Sequence, residues 1–269
     1  VVPPVKPLHC IVCVKPVPDF GGRGAEFDRQ TGTVKRESVP AVINPLDKNA
    51  LEAALRLKES YGGKVTVLAM APPFTENVLR EALAFGADEA VLLSDRAFAG
   101  SDTLATSRVL ARGVQKIGAF DLILAGAAST DGGTAQVGPQ LAELLGIPHV
   151  SFVTSLARKE ENVLELAAKT EGGALLLEVT LPALLTVSRE INVPRPLALF
   201  GIAAAAAKPF RVFNAAELGI GPEQAGEAGS PTRIGGFWEV SRARKGELLP
   251  ATPETAVRLA QKFRSWEVL

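Results

Sequence analysis

Five short apolar runs, separated by stretches of helical periodicity, constrain this chain more than anything else in it. They are LHCIVCVK at 8–15, KVTVLAMA at 64–71, EAVLLS at 89–94, DLILAGA at 121–127 and HVSFV at 149–153. Each is almost continuously aliphatic or β-branched, as expected of parallel strands covered on both faces. Between them, NPLDKNALEAALRLKESYGG places Leu46, Ala50, Ala54 and Leu57 on one helical stripe. Asn44 takes the cap position there, Pro45 the first helical position, and Gly62 or Gly63 the stop. TENVLREALAFGAD and SDTLATSRVLARGVQKIG repeat the scheme, with Thr75 and Ser101 as caps. Strands alternating with helices predict βαβ units, hence an α/β fold with a doubly wound, mostly parallel sheet.

Three segments depart from that rhythm. EFDRQTGTVKRESVP at 26–40 reads as a polar hairpin turning at Gly32, inserted before the first helix. Residues 151–190 contain four β-type runs, separated by Lys159 to Asn162, by EGG at 171–173 and by Pro182. They predict an antiparallel β block. Beyond Gly219, GPEQAGEAGSPTRIGG has the composition of a linker. A charged connector at 241–247 follows, then the helix TPETAVRLAQKFRSW, with Thr252 as cap and Pro253 at its first position. Its stripe of Ala256, Leu259, Ala260 and Phe263 needs a surface to bury it. An arm across a partner chain and docking on its own domain both remain open.

Composition narrows the function classes. Of 269 residues, 47% are hydrophobic and 22% charged, the balance of a soluble globular protein with a large core. Lys+Arg and Asp+Glu both number 29, so the chain lacks the basic footprint expected where nucleic acid is the main partner. No apolar run reaches the roughly 18 residues of a membrane span. The opening VVPPVKPLHC has no secretory h-region, so a cytoplasmic location is expected. Cys10 and Cys13 have C-x-x-C spacing, but on a strand residues three apart face opposite ways. With His9 and His149 as the two histidines there is no four-ligand zinc set, and two buried strand cysteines are expected.

Open α/β sheets bind ligands beyond the carboxyl ends of their strands, at the switch point. Three loops qualify: CVKPVPD, AMAPP and GAASTDGGTAQ. The last passes abruptly from an apolar run to Ser129, Thr130, Asp131 and the pair Gly132 and Gly133. Such glycines permit close backbone approach, and a helix opening at Thr134 or a neighbour would aim free N–H groups at a phosphate. Neither G-x-G-x-x-G nor G-x-x-x-x-G-K-[ST] occurs. On these residues alone, a phosphate loop and an ordinary capped loop both stand. Neither a catalytic triad nor a candidate general base is visible.

VCVKPVPD, INPLDKNALEAALRLKE, LREALAFGADEAVLL, DGGTAQVGPQLAELLGIP and LPALLTVSREINVPRP occur in one order. In that order the chain resembles the β subunit of electron transfer flavoproteins, from about residue 8 to 220. The resemblance implies a Rossmann-like, adenine-nucleotide-binding α/β domain over 1–220. Its antiparallel extension at 151–190 forms part of a platform for a mobile flavin domain. A partner-recognition loop spans 192–208, and the linker and helical arm at 221–269 contact the partner subunit. It also implies a heterodimer with an α subunit, which takes electrons at flavin and passes them on. The β site in this family holds AMP in one-flavin members and a second FAD in electron-bifurcating members.

Carried over residue by residue, that site comprises Cys13, then Asn44, Pro45, Leu46 and Asp47, then Met70. It continues through Gly126, Ala127, Ala128, Ser129, Thr130, Asp131, Gly132, Gly133, Thr134, Ala135, Gln136 and Val137. DGGTAQVGP and REINVPR look like the bifurcating group, which implies FAD here, with AMP as the alternative, and NADH as a substrate if bifurcation holds. Small residues at Gly132, Gly133 and Ala135 leave room for a pyrophosphate, and Thr134 and Gln136 can donate hydrogen bonds to it. Asn192, Pro194 and Arg195 match the family's pattern, and Leu197, Leu199 and Phe200 would anchor a flavin dehydrogenase, such as an acyl-CoA dehydrogenase or a related oxidoreductase. Five alanines at 203–207 replace the family's Lys-rich run, which weakens the case for a standard acyl-CoA dehydrogenase. A plain alanine helix packed on the core is the competing reading of that segment. A stand-alone adenine-nucleotide-binding protein is the competing reading of the whole, and the hairpin, antiparallel block and arm favour the subunit.

Overall fold

A computed structural model describes residues 6–19, 40–233, 235 and 248–266. The hairpin expected at 26–40, apart from Pro40, and the connector at 241–247 lie outside the described residues. The contact pattern separates residues 1–234 from 235–269.

In the first unit, β1 (Leu8–Cys13) is followed by a short antiparallel pair, β2 (Pro16–Pro18) and β3 (Ala41–Ile43). Then come α1 (Pro45–Tyr61), β4 (Gly63–Met70), α2 (Glu76–Phe85), β5 (Glu89–Leu93), α3 (Thr103–Ile117), β6 (Leu122–Gly126) and α4 (Val137–Leu145). Four strands follow: β7 (His149–Glu160), β8 (Val163–Thr170), β9 (Gly173–Thr180) and β10 (Ala183–Val187). α5 (Leu199–Ala205) and β11 (Phe210–Phe213) come last among the described residues of this unit. One nine-stranded sheet runs β11-β5-β4-β1-β6-β10-β7-β8-β9. It is parallel from β11 to β7, and β8 and β9 add on antiparallel.

Alternation along the strands sends side chains to two cores. Cys10 and Val12 of β1 pack with Ala50, Ala54 and Leu57 of α1 and with Leu79 and Leu83 of α2. Ile11 packs on the other face with Val109 and Val114 of α3 and Leu141 of α4, where Cys13 also lies. The two cysteines therefore face opposite ways, as a strand requires. Burial pushes both thiols up to about 12, helped at Cys10 by Asp121 and at Cys13 by Asp47, so both stay neutral thiols.

Several expectations are corrected. Ser101 does not cap α3; Asp102 does, accepting the Ala105 N–H at 2.9 Å, while the Ser101 hydroxyl donates to the Phe98 carbonyl. An ionised carboxylate is the stronger acceptor at a positive helix end. Asn44 and Thr75 hold the cap positions without capping through their side chains. The fourth run of 151–190, β10, is not antiparallel: it inserts between β6 and β7, parallel to both. Its five residues are all buried, the mark of a strand covered on both faces. β7 joins the run HVSFV and the first run of the 151–190 block in one strand, which pairs first with β10 and then with β8. Phe152, at a φ of 57°, marks the switch beside a register shift.

The stretch read as a linker is packed as far as residue 233. Ala225 and Ser230 are buried, the Asp102 N–H donates to the Ser230 hydroxyl at 2.8 Å, and Thr232 donates to the Asp102 carboxylate through N–H and Oγ at 3.0 and 2.7 Å. In the second unit, α6 (Pro253–Ser265) starts as expected, Thr252 accepting the Thr255 N–H. None of its residues is buried.

Candidate functional site

From β1 the chain moves to β4 and β5 on one side and later returns to place β6 on the other. The switch point therefore lies at the carboxyl ends of β1 and β6, where parallel strands diverge and ligand crevices form. Three segments meet there: the turn after β1, the start of α1, and the loop 127–136 after β6.

Two side chains at the start of α1 tie them together. Asn44 donates through Nδ2 to the Ala128 carbonyl at 3.0 Å and accepts the Thr130 N–H at 3.1 Å. That explains why it does not cap its own helix. Asp47 accepts the Lys15 N–H at 2.7 Å with one oxygen and the Gly126 N–H at 3.0 Å with the other. Burial pushes its carboxyl up to about 6, opposed by those two N–H groups, by Asn44 and by the Lys15 charge. Position 126 has to be glycine for this contact: a Cβ there would sit 2.7 Å from Leu46 Cβ and closer still to the Asp47 carboxylate. Asp47 thus positions the ends of β1 and β6, with both oxygens engaged by the backbone.

The loop itself is a tight turn. The Gly133 N–H donates to the Ser129 carbonyl at 2.9 Å, and the Gly132 N–H to Ser129 Oγ at 3.3 Å. Gly133 and Ala135 both have positive φ, 62° and 55°, so the chain cannot yet be helical. For Ala135 this conformation costs about 1 kcal/mol, a strain of the kind concentrated at functional sites. The helix consequently opens at Val137, three residues past Thr134, where it or a neighbour was expected to start it. Gln136 sits at its cap, its side-chain oxygen accepting from Thr103 Oγ at 3.0 Å.

Lys15, in CVKPVPD, joins these segments although no spacing pattern singles it out. Its ammonium lies 2.6 Å from Asp131 Oδ1 and 3.3 Å from Ser129 Oγ. It also lines a crevice with Val17, Met70 and Phe74, walled by Pro16, Pro18 and Ala41 of the β2–β3 pair. A lysine two residues beyond a switch-point strand was the available signal. Hydroxyls at 129, 130 and 134, a glycine pair and this ammonium suit an anionic group. The structure therefore brings Cys13, 44–47 and 126–137 to the β1 and β6 ends, with Cys13 on the α3–α4 side. Met70 lines the adjoining crevice.

Leu197, Leu199 and Phe200 lie elsewhere, at α5. Gly201 packs on the α2 backbone, where a Cβ would overlap the Ala84 carbonyl oxygen, and Ala205 is buried. The opposite side presents Leu199 and Phe200, 84% and 91% exposed. Leu197 and Ile202 border a groove shared with Asn77, Arg80 and Glu81 of α2. The alanine run is thus part packed and part exposed. Lys208 after it donates to the Leu83 and Ala87 carbonyls at 2.8 and 2.7 Å, closing the end of α2. Arg195 binds Glu52 and Glu59 of α1 at 2.7 and 2.5 Å, and Asn192 pairs with Asn49. Burial works against the charge on Glu52, but Arg195 and Arg56 still hold its carboxyl below the usual range. Among the described residues there is no grouping of three His, Cys, Asp or Glu able to hold a metal, and no helix long and apolar enough to cross a membrane.

Comparison with known proteins accounts for this architecture. The electron transfer flavoprotein domain family matches residues 31–218. The chain is 46% identical over 227 residues to an electron transfer flavoprotein subunit beta of Clostridium acetobutylicum, covering 84% of this chain and 86% of that one. It is 41% identical over 265 residues to the caffeyl-CoA reductase-Etf complex subunit CarD of Acetobacterium woodii, covering 97% and 100%. It is also 41% identical over 264 residues to an electron transfer flavoprotein subunit beta of Thermoanaerobacterium thermosaccharolyticum, again covering 97% and 100%. With its sheet, its switch-point loops and these relatives in agreement, the chain belongs to the electron transfer flavoprotein family, as a β subunit.

Proposed function

We propose that the chain pairs with an α subunit and that the switch point at the ends of β1 and β6 holds FAD, through which electrons pass between NADH or a dehydrogenase and further acceptors. AMP in the same place is the alternative. The observation that carries the reading is the convergence of Lys15 and the 129–134 turn at the switch point. Asn44 and Asp47 hold the two strand ends, and loop 129–137 receives the phosphates. A bound flavin supplies two-electron acceptance and one-electron release. DGGTAQVGP, whose Gly132, Gly133 and Ala135 leave room for a pyrophosphate, supports FAD over AMP.

The likeness to a reductase–Etf complex subunit supports a reductase as partner, and DGGTAQVGP and REINVPR support the bifurcating group. Leu199 and Phe200 on α5 would dock the dehydrogenase or reductase, α6 would lie on the partner subunit, and the assembly would work in the cytoplasm. Stoichiometry of the purified heterodimer tests the cofactor. Two FAD and no AMP is the expected result, and one FAD with one AMP would overturn the choice of FAD.

A further inference from the structure

The stretch that leads to Leu199 and Phe200 has no regular structure of its own: 192–198 lie between the short turn Arg189–Ile191 and α5. Side chains of α1 hold it instead. Asn49, Glu52, Arg56 and Glu59 recur at three- and four-residue spacing, so they share one face of that helix. Asn49 donates to the Asn192 carbonyl at 2.9 Å, and the Asn192 amide donates back to the Asn49 carbonyl at 3.0 Å. Arg56 donates to the Val193 carbonyl at 3.3 Å. Arg195 makes the most bonds. Its Nε lies 2.7 Å from Glu52, its two Nη groups fork onto Glu59 at 2.5 and 3.1 Å, and its backbone N–H donates to Glu52 at 3.3 Å. Glu52 also accepts from Arg56 at 2.7 Å, so it keeps a cation when Arg195 is removed.

Arg195 stands between Pro194 and Pro196. Each ring fixes its own φ and narrows the conformations of the residue before it. Clamping the middle of so stiff a run sets the direction in which 197–200 leave it. Beyond that point α5 is seven residues long and meets α2 through Gly201, with Ala205 buried, on the side away from Leu199 and Phe200. Packing thus secures the body of α5, and the clamp on α1 secures its entry.

We propose that Arg195, held by Glu52 and Glu59, is a positioning residue for electron transfer, which fixes Leu199 and Phe200 in the orientation that a dehydrogenase or reductase meets. The proposal rests on the docking role given to those two side chains above. A loop ordered beforehand has less freedom to lose on docking, so losing the clamp raises the partner concentration required and leaves the transfer step alone.

The test uses the heterodimer with its α partner, reduced by stoichiometric dithionite and mixed rapidly with increasing caffeyl-CoA reductase of Acetobacterium woodii, the oxidoreductase in whose complex the relative CarD is a subunit. Flavin reoxidation yields a half-saturating reductase concentration and a limiting rate. Arg195→Gln should raise the first by about tenfold and keep the second within about twofold, the split expected of lost positioning. Glu59→Gln alters a side chain that is 57% exposed, and it should act in the same direction by about threefold. In a Leu199→Ala background Arg195→Gln should add less than about twofold, because both act through one loop. Amide hydrogen exchange across 197–202 should quicken by about fivefold in Arg195→Gln while α2 keeps its wild-type protection. Circular dichroism and thermal unfolding establish that each variant is folded. A wild type that passes no electrons to the reductase, or a Leu199→Ala variant that matches wild type, would remove the docking reading and this proposal together. If Leu199→Ala raises the half-saturating concentration, the role of Arg195 alone is overturned by a folded Arg195→Gln protein that does not, by effects that multiply in full, or by unchanged exchange across 197–202.

Discussion

The buried carboxylate of Asp47 makes the pH dependence of stability a direct probe of the switch point. In the folded chain burial outweighs its hydrogen bonds, and its pKa is pushed up to about 6. In the unfolded chain it returns to the ordinary carboxylate range, near 4. Between those values the folded state holds a proton that the unfolded state has released, so this group's contribution is fully present below about pH 4 and is lost as pH rises through 6. At about 1.4 kcal/mol for each tenfold change in proton affinity, the loss comes to ~3 kcal/mol. Asp47→Asn cannot titrate. Its amide oxygen keeps one acceptor, while its NH2 faces the other backbone N–H, a cost that is the same at every pH and leaves the pH dependence of the difference unchanged. Relative to wild type, the variant should therefore gain ~3 kcal/mol between pH 4 and pH 7. Urea denaturation of both proteins at matched pH values measures this, and subtracting the curves cancels every group they share. A difference that stays flat within about 1 kcal/mol, or one that falls with pH, would refute the account of Asp47.

Two further outcomes follow from packing and exposure. Gly126→Ala drives a methyl group into Leu46 and the Asp47 carboxylate, so it should cost about 3 kcal/mol in denaturation midpoints and lower nucleotide content; a variant as stable and as loaded as wild type would mean that the β6 end can yield. Leu199→Glu changes a residue that is 84% exposed, so thermal stability, heterodimer assembly and nucleotide content should stay unchanged while electron transfer to the dehydrogenase slows by about tenfold; an unaltered rate would make α5 scaffold alone.

The sequence by itself determined the parallel core and the strand-end loops. Period and burial are local properties: the uninterrupted aliphatic runs of β1, β4, β5 and β6 and the 3.6-residue stripe of α1 are legible because each depends on neighbours within a few turns of chain. The same locality marked the loop from Gly126 to Val137 and the start of α1. What the tertiary structure decided depends on pairs distant in the chain. ALLTV at 183–187 is equally compatible with parallel and antiparallel pairing until β6 and β7 flank it. Between Ser101 and Asp102, the choice of α3 cap went to the carboxylate that also receives Thr232, 130 residues away. The helix after β6 starts late because Gly133 and Ala135 turn with positive φ, a backbone state that alanine does not advertise. Lys15 meets Asp131 across 116 residues. No spacing rule reaches that far: the contact exists only because β1 and β6 are neighbours in the sheet, and strand order is set by how the whole chain buries its apolar faces.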